Sequence, residues 1–384
     1  MHADLVAEAA SFLQGAKHPV IMIGRVSRSE QAWAERVSLA EALGAEVITD
    51  LKVGAAFPTE HPQHVAAPAV FIVSEAAKAV AGADVILSLD WVDLGGTLRS
   101  AGDGRPIAAR VIQVSLDQQL HNGWSMDHQG LPEVDLFLAA DPDTVVPMML
   151  DALGVPAGRP QPNARPAQPH SEPSTGPLTV PQMGHMLRTS LGTREVSLLH
   201  LPNSWDAAIW PFRHPLDYIG SDGGAGLGAG PGISVGAALA LRGSGRIPIS
   251  ICGDGDFLMG ATALWTATHY RVPLLMVVAN NQSYYNDEVH QERMALMRNR
   301  PVENKWIGQH IADPEIDLAL LAKAQGAIGF GPVREPADIR DAFDKAITVV
   351  EAGGLALVDV RVAPGYTPAM ASALAPQSAE SRRS

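Results

Sequence analysis

The chain has 384 residues, of which 46% are hydrophobic and 18% charged, the balance of a globular protein with room for two domains. Its formal net charge of −13 argues against non-specific binding to nucleic acid or to anionic membranes. The single cysteine excludes an internal disulfide, and we expect Cys252 to be a small buried strand residue rather than a nucleophile.

The first half of the chain alternates Val-, Ile- and Leu-rich runs with stretches of helical periodicity. The first residues show no basic-then-apolar signal pattern, and no apolar run is long enough to span a bilayer, so we expect a soluble, cytoplasmic protein. Continuous apolar runs between helices are typical of a parallel sheet that is covered on both faces. The predicted strands are His18–Gly24, Ala45–Asp50, Ala83–Asp90, Arg110–Asp117 and Asp135–Ala140, and the clearest helix is Gln31–Leu43.

A proline-rich segment divides the chain. Val155–Thr179 contains seven prolines among Ala, Gly, Gln and Ser, and proline excludes both a long helix and a central strand there. We therefore predict a central domain at residues 1–154, an interdomain linker at 155–179 and a C-terminal domain at 180–370. The small and polar residues 371–384 are expected to form a disordered tail.

The same alternation resumes after the linker. The predicted strands are Glu195–Leu201, Asp217–Ser221, Arg246–Cys252, Val272–Ala279, Ala327–Phe330 and Leu355–Val362. The predicted helices are Val180–Leu191, Ile233–Arg242, Gly260–Tyr270, Ile316–Gln325 and Pro336–Glu351. The fold class is therefore α/β, with two doubly wound, mainly parallel-sheet, Rossmann-like domains that a proline-rich linker joins.

One segment of the second half carries the chemistry. A buried strand ends in Gly253–Asp256 (GDGD), a helix is predicted at Gly260–Tyr270, and the next strand ends in Asn280–Asn281 (NN). Ligands of open parallel sheets bind outside the carboxyl ends of the strands, where glycines allow close approach and a helix N-terminus attracts phosphate. Asp254 supplies a carboxylate oxygen and Asn281 an amide oxygen, which suit Mg²⁺ or Ca²⁺. The sequence therefore predicts a metal–diphosphate site; ordinary loops of a Rossmann-like sheet are the alternative.

Gly-Asp-Gly followed, after twenty-odd residues, by Asn-Asn resembles the thiamine-diphosphate (ThDP) binding motif. The surrounding sequence is similar to the superfamily of acetolactate synthase, benzoylformate decarboxylase and related 2-oxo acid decarboxylases and carboligases, and Ala263–Ala267 (ALWTA) looks like the decarboxylase branch. The resemblance implies ThDP and Mg²⁺ as cofactors, with Asp254, Asn281 and the main-chain carbonyl of Ser283 as metal ligands. The cofactor-binding residues that it implies around the motif are Gly253, Asp254, Gly255, Asp256, Phe257 and Asn281.

Two upstream segments extend the resemblance. Gly223–Gly228 (GGAGLG) resembles a segment of the family in which an apolar side chain props the cofactor into a bent shape. The resemblance assigns that role to Leu227. It also implies that the Ala225 carbonyl accepts the amine of the cofactor's aminopyrimidine ring. The alternative is a plain glycine-rich loop before a helix. Asn203 and Ser204 lie where family members contact the diphosphate, and a plain strand-end turn is equally consistent with them.

Residues next to the motif raise two further questions. Asp256 stands where many family members have Ser or Ala, so its side chain either points away from the diphosphate or alters the metal coordination. Glu288 and His290 lie in a segment that often covers the substrate in the family, and they are candidates for proton transfer. The alternative there is a solvated helix start that Asn286 or Asp287 caps.

The first half resembles the central domain of the same enzymes, notably at Lys52–Pro62 (KVGAAFPTEHP). In some family members this domain binds FAD or ADP, and in others it is purely structural. No complete G-x-G-x-x-G motif is present, and Leu94–Gly96 (LGG) is too short to indicate a nucleotide site. We therefore favour a structural role over binding of FAD or ADP.

The resemblance covers nearly all of residues 1–370 but not the pyrimidine-binding domain, whose glutamate activates the cofactor in the family. We expect a separate subunit to supply that domain in trans, or a split or truncated gene, and a homo- or hetero-oligomer. The implied function is ThDP- and Mg²⁺-dependent cleavage or formation of C–C bonds next to a carbonyl, as in a 2-oxo acid decarboxylase or carboligase. The alternatives are an acetolactate-synthase-like ligase and a non-catalytic ThDP-binding subunit or truncated remnant. A 2-oxo acid or similar small carbonyl compound is the expected substrate.

Overall fold

The computed structural model of the protein describes residues 3–119, 128, 130–155, 177–221 and 226–366. The chain divides into two compact units. Unit 1 comes from Met1–His170 and Pro211–Ala225, and unit 2 from Ser171–Trp210 and Gly226–Ser384. Most of the predicted linker and all of the predicted tail lie outside the described residues, so both stay predictions.

Unit 1 is built on a parallel sheet of five strands in the order β2-β1-β3-β4-β5. Its strands are β1 (Pro19–Ile23), β2 (Glu46–Thr49), β3 (Val85–Leu89), β4 (Arg110–Val114) and β5 (Leu136–Leu138). Its helices are α1 (Ala3–Gln14), α2 (Glu30–Leu43), α3 (Ser74–Gly82), α4 (Leu94–Ala101) and α5 (Pro142–Leu153). Every residue of β1 and β3 is buried, as the continuous apolar runs predict for a sheet that helices cover on both faces.

Unit 2 has a second parallel five-stranded sheet, in the order β6-β7-β8-β10-β9. Its strands are β6 (Val196–His200), β7 (Ile247–Gly253), β8 (Leu274–Asn280), β9 (Ile328–Val333) and β10 (Leu355–Arg361). Its helices are α6 (Val180–Leu191), a 3₁₀ turn (Ala207–Ile209), α7 (Ala229–Ala240), α8 (Asp254–Gly260), α9 (Ala263–His269), α10 (Tyr285–Met297), α11 (Leu318–Ala324) and α12 (Pro336–Glu351). The predicted α/β class with two parallel sheets is confirmed.

The strand predicted at Asp217–Ser221 is wrong. These residues belong to unit 1, where the N–H of Ala55 donates to the Tyr218 carbonyl and the Tyr218 hydroxyl donates to the Leu51 carbonyl. Gly54 allows the approach, because a Cβ there would lie only 3.0 Å from the Tyr218 carbonyl oxygen. The backbone of this segment therefore bonds to a loop instead of pairing with a strand.

The helix after the GDGD segment begins earlier than predicted. Helix α8 starts at Asp254, directly after β7, and α9 follows at Ala263, so two short helices replace the single helix predicted at Gly260–Tyr270. Two carboxylates, Asp254 and Asp256, stand in the first turn of α8, where the helix dipole favours negative charge. Within the described part of the chain, no helix is both long enough and apolar enough to cross a membrane.

Candidate functional site

The carboxyl ends of β6, β7 and β8 lie side by side at one edge of the unit 2 sheet. The register pairs Gly253 of β7 with Ala279 of β8, so the residues that follow these two strands leave the sheet next to each other. Open parallel sheets bind ligands at such an edge. The GDGD and NN segments are therefore brought together, as the order of the predicted strands requires.

Asp254 is a buried carboxylate that faces the loop after β8. The backbone N–H groups of Gly255, Gln282 and Ser283 lie close enough to its carboxylate to favour the ionised form. Burial has the larger effect and raises the pKa of Asp254 to about 6. Its Oδ2 atom is buried and has no hydrogen-bond partner among the described residues. Buried polar atoms are normally paired, so this oxygen is suited to a ligand.

The loop after β8 is shaped by its two asparagines. The Oδ1 atom of Asn280 accepts the N–H of Gln282 at 3.1 Å, and the Oδ1 atom of Asn281 accepts the N–H of Ser283 at 2.9 Å. These bonds hold Gln282 in a left-handed conformation with φ of 60°. Ser283 N–H thus lies near both the Asn281 amide oxygen and the Asp254 carboxylate. These two predicted metal ligands are therefore both neighbours of the Ser283 backbone.

A buried aspartate on β10 orients the first asparagine. The Nδ2 group of Asn280 donates to Oδ1 of Asp359 at 2.8 Å, and both residues are buried. Burial raises the pKa of Asp359, and the Asn280 hydrogen bond partly offsets the rise. Since Asn280 Nδ2 is fixed in this way, its Oδ1 is left facing the Gln282 N–H.

Tyr284 packs its ring against the GDGD turn. A Cβ added to Gly255 would overlap the Tyr284 ring, so glycine is required at this position for the ring to lie where it does. Burial raises the pKa of Tyr284, and the negative charges of Asp254 and Asp287 raise it further. The tyrosine is therefore a neighbour of the Asp254 carboxylate.

Asp256 binds the start of helix α7. Its Oδ1 atom accepts the N–H of Gly228 at 2.7 Å and the N–H of Gly230 at 3.4 Å. Its Oδ2 atom lies 3.1 Å from Nε2 of His200, the last residue of β6. Burial alone would raise the pKa of Asp256, but His200 and the two glycine N–H groups hold it below its ordinary value. One oxygen of this carboxylate thus bonds to the α7 backbone, and its predicted contact with a diphosphate stays a prediction.

The other predicted cofactor-binding residues surround this edge of unit 2 unevenly. Phe257 is fully buried in α8, whereas Leu227 is 54% exposed in the turn that precedes α7. Asn203 and Ser204 lie in a turn directly after β6, the strand next to β7. Ala225 lies outside the described residues.

Glu288 and His290, the two candidates for proton transfer, lie in different surroundings. Glu288 is buried, accepts the hydroxyl of Ser283 and lies 3.4 Å from Nε2 of His310. His290 is exposed on the same helix. The proposed Asn286 or Asp287 cap is wrong, because the N-cap residue of α10 is Tyr284, which makes no side-chain cap bond.

Three polar residues of this edge were not anticipated from the sequence. His200 ends β6, so its position at a strand end is a signal that could have found it. Asp359 interrupts the apolar run of β10 that precedes Arg361, which is a second usable signal. His310 offers no such signal in the sequence, because it pairs with Ser283 through an isolated bridge between loops distant in sequence.

Cys252 is buried in β7 as predicted, and burial raises the pKa of its thiol.

Two family models match the chain. One describes the C-terminal TPP-binding domain of thiamine pyrophosphate enzymes and matches residues 202–360; the other describes the central domain of these enzymes and matches residues 6–140. The chain belongs to the ThDP-dependent enzyme superfamily. The GDGD and NN segments both fall within the C-terminal domain match, so the resemblance drawn from them is confirmed.

Relatives in this superfamily include decarboxylases and acetolactate synthases. Benzoylformate decarboxylase of Pseudomonas aeruginosa is 29% identical over 286 residues, which are 73% of this chain and 51% of that protein. The large subunit of acetolactate synthase isozyme 3 of Escherichia coli is 23% identical over 379 residues, which are 94% of this chain and 62% of that protein. The chain thus spans about half the length of the first relative and less than two thirds of the second.

The fold is shared with solved ThDP enzymes. The structure of a ThDP-dependent 4-hydroxybenzoylformate decarboxylase from Rhodococcus jostii RHA1 matches with a TM-score of 0.72 at 23% identity. The match covers 96% of this chain and 65% of that one. At this identity the likeness establishes the architecture of the ThDP enzyme fold and leaves the substrate open.

Proposed function

We propose that the Asp254–Ser283 edge of unit 2 binds the diphosphate of ThDP through Mg²⁺, and that the chain takes part in breaking or forming C–C bonds next to a carbonyl. The observation that carries the proposal is the buried Asp254 Oδ2 atom, which lacks a hydrogen-bond partner in the described part of the chain. A hard divalent cation that prefers oxygen ligands would supply the missing partner.

Three groups of this chain would hold the metal. Asp254 contributes a carboxylate oxygen, Asn281 an amide oxygen and Ser283 its main-chain carbonyl. Support comes from the hydrogen bonds that already organise the loop, because Asn280 and Asn281 fix its backbone before any ligand arrives. Such preorganisation lowers the cost of binding. Leu227, exposed beside the start of α7, is the apolar side chain that we assign to support the bent cofactor.

Bound ThDP supplies the electron sink for the reaction, and this chain supplies orientation and electrostatics. In the family the activating glutamate lies on a pyrimidine-binding domain, and the two matched models describe the central and C-terminal domains instead. We propose that the pyrimidine-binding domain reaches the site in trans.

We assign proton transfer near the substrate to Glu288 in preference to His290. Glu288 is buried beside Ser283, a proposed metal ligand, and His310 lies within ion-pair distance of it. A carboxylate and an imidazole at one position can hold and pass a proton. Glu288→Gln is expected to change the pH profile of the reaction, whereas His290→Gln, on the exposed side of the same helix, is the matched control and should leave it unchanged.

The function is tested by supplying pyruvate and benzoylformate, with ThDP and Mg²⁺, to the chain alone and to the chain with proteins that co-purify with it. Release of CO₂ with a free aldehyde indicates a decarboxylase, and acetolactate from pyruvate indicates an acetolactate-synthase-like ligase. Asp254→Asn should abolish either product. ThDP binding without any product in both preparations would favour the non-catalytic subunit and overturn the catalytic proposal.

A further inference from the structure

A second group of potential metal ligands lies in unit 2 and does not include the Asp254 carboxylate. Nε2 of His200, Sγ of Cys252 and a carboxylate oxygen of Asp256 all lie within 4.8 Å of one another. They come from the end of β6, the end of β7 and the first turn of α8. Their elements are therefore the same three that meet at the carboxyl edge of the sheet.

The two oxygens of Asp256 are in different situations. Oδ1 is engaged by the N–H groups of Gly228 and Gly230. Oδ2 is buried and, among the residues that the structure describes, has no partner with hydrogen-bond geometry, although His200 Nε2 is only 3.1 Å away. The imidazole nitrogen and this oxygen are thus within ion-pair distance of each other. Two ligand atoms at this separation can both bind one cation that lies about 2 Å from each of them.

The nitrogen, sulfur and oxygen donors are those that a zinc-class cation prefers. Zn²⁺ binds His nitrogen, Cys thiolate and Asp oxygen at about 2.0–2.3 Å, so neighbouring ligand atoms lie a few ångströms apart, as they do here. Mg²⁺, by contrast, takes oxygen ligands and rarely binds thiolate. The cysteine therefore separates this group chemically from the proposed Mg²⁺ site.

The surroundings also fit a metal centre. The Ser250 hydroxyl lies 3.3 Å from Cys252 Sγ and is itself bonded to Ser234 at 2.7 Å, which orients the sulfur. The glycine N–H groups on Oδ1 orient the Asp256 carboxylate in the same way. Hydrogen bonds of this kind, one step outside the ligands, are a regular feature of metal sites. Gly230 makes room for the group, because a Cβ there would meet the His200 ring at 2.9 Å and also overlap Asp256 Oδ2.

We propose that His200, Cys252 and Asp256 bind a borderline-soft divalent cation of the Zn²⁺ class, with water in the fourth position. On binding, the Cys252 thiol releases its proton to solvent and coordinates as the thiolate. The ion would join the ends of β6 and β7 to the start of α8, and through Oδ1 of Asp256 also to the start of α7. Its role would be to fix these elements, and it does not depend on the proposed catalytic function.

The experiment is a Zn²⁺ titration of the purified full chain in excess Mg²⁺, which saturates the oxygen-ligand site and leaves the thiolate site free. Bound metal is measured after gel filtration by elemental analysis, and Co²⁺ replaces Zn²⁺ in a parallel titration as a spectroscopic probe. The variants are His200→Gln and Cys252→Ser, and His269→Gln, an exposed histidine on α9, is the matched control. Far-UV circular dichroism without added metal checks that each variant is folded.

One Zn²⁺ per chain should be retained by the wild type and by His269→Gln, with at least about tenfold weaker binding in each of the other two variants. Co²⁺ should give a thiolate-to-metal absorption band in the wild type, and Cys252→Ser should lack it. Failure of the wild type to retain Zn²⁺, or retention and a Co²⁺ spectrum unchanged in Cys252→Ser, would overturn the proposal. The wild-type measurements decide the matter even if a variant does not fold.

Discussion

At the carboxyl ends of β1, β3 and β4 in unit 1 the charged side chains are paired with one another, whereas unit 2 leaves a buried carboxylate oxygen without a partner among the described residues. In unit 1, Arg25 follows β1 and binds both Asp90, at 2.8 Å, and Asp117, while Ser115 donates to Asp90. The strand order reverses between β1 and β3, which is where such sheets usually bind ligands. In unit 2 the corresponding edge holds Asp254, whose Oδ2 has no partner in the described residues.

The comparison indicates that the architecture alone does not make a binding site. Both units have five parallel strands with helices between them, yet the backbone of Asp90 and Trp91 fills the space beside Gly24 in unit 1. Because the charges of Arg25, Asp90 and Asp117 are paired with one another, they do not favour the binding of a charged ligand at this edge. We therefore continue to favour a structural role for unit 1 over binding of FAD or ADP.

Among the tests of this comparison, we expect the largest change in the free energy of unfolding at Asp50, which lies at the end of β2. It is a buried aspartate of unit 1, and burial raises its pKa to about 6, although the N–H groups of Lys52 and Val53 bond to it. Because its folded pKa exceeds the unfolded value of 3.8, the folded state binds the proton more tightly. The contribution of Asp50 to the free energy of unfolding should therefore fall as the pH rises from about 4 to about 6, by roughly 3 kcal/mol, and stay level above that.

Asp50→Asn should remove that part of the pH dependence, as urea unfolding at a series of pH values would measure. It should leave ThDP affinity unchanged, since the residue belongs to unit 1, whereas the proposed metal site belongs to unit 2. A variant with the wild-type pH dependence would show that Asp50 is not the titrating group.

The next largest change in the free energy of unfolding is expected from a pair of glycine substitutions at the GDGD turn. Gly255→Ala forces the Tyr284 ring to move, and overpacking of this kind costs about 1–3 kcal/mol in the free energy of unfolding. Gly253→Ala is the matched control, because a Cβ there would meet no atom of the described chain within 4 Å and its φ of −71° suits alanine. Equal stabilities of the two cofactor-free variants in urea unfolding would contradict the packing described here.

Asp256→Ser, which introduces the residue common in the family, is expected to have a smaller effect. It removes the acceptor of the Gly228 and Gly230 N–H groups at the start of α7. Loss of a side chain that caps a helix costs about 1 kcal/mol. Hydrogen exchange of the amides in the first turn of α7 should increase, and unchanged exchange would mean that serine or water replaces the carboxylate fully.

The smallest effect is expected from Arg25→Ala in unit 1. The Arg25 side chain is 43% exposed, and partly exposed ion pairs contribute under about 1 kcal/mol. Arg36→Ala is the contrasting control, because Arg36 is fully buried and bonds to Asp143 at 2.7 Å, so its loss should cost about 3–5 kcal/mol. A gain of nucleotide binding in Arg25→Ala, measured by calorimetry with ADP, would show that the ion pairs conceal a nucleotide site.

The sequence was sufficient to predict those features that depend on neighbours along the chain. The strands β7 and β8 and the meeting of the Asp254 turn with the loop after β8 follow from a single strand-helix-strand crossover, so periodicity and motif spacing predict them. The contact of Asn280 with Asp359 depends on β10 lying between β8 and β9, and this strand order cannot be read from local patterns. Likewise, the Asp217–Ser221 run has strand-like composition, but the carbonyl and the hydroxyl of Tyr218 bond to residues more than 150 positions earlier in the chain.

Calorimetric titration of ThDP in the presence of Mg²⁺, with Asp254→Asn and Asp50→Asn as a matched pair, tests the central claim most directly. Both changes replace a buried carboxylate by an amide of the same shape, and only the first lies at the proposed metal site. We predict at least about 100-fold weaker ThDP binding for Asp254→Asn, about 2.8 kcal/mol, and wild-type affinity for Asp50→Asn. Wild-type affinity in Asp254→Asn would contradict the account, because the metal would then be held without the carboxylate at 254.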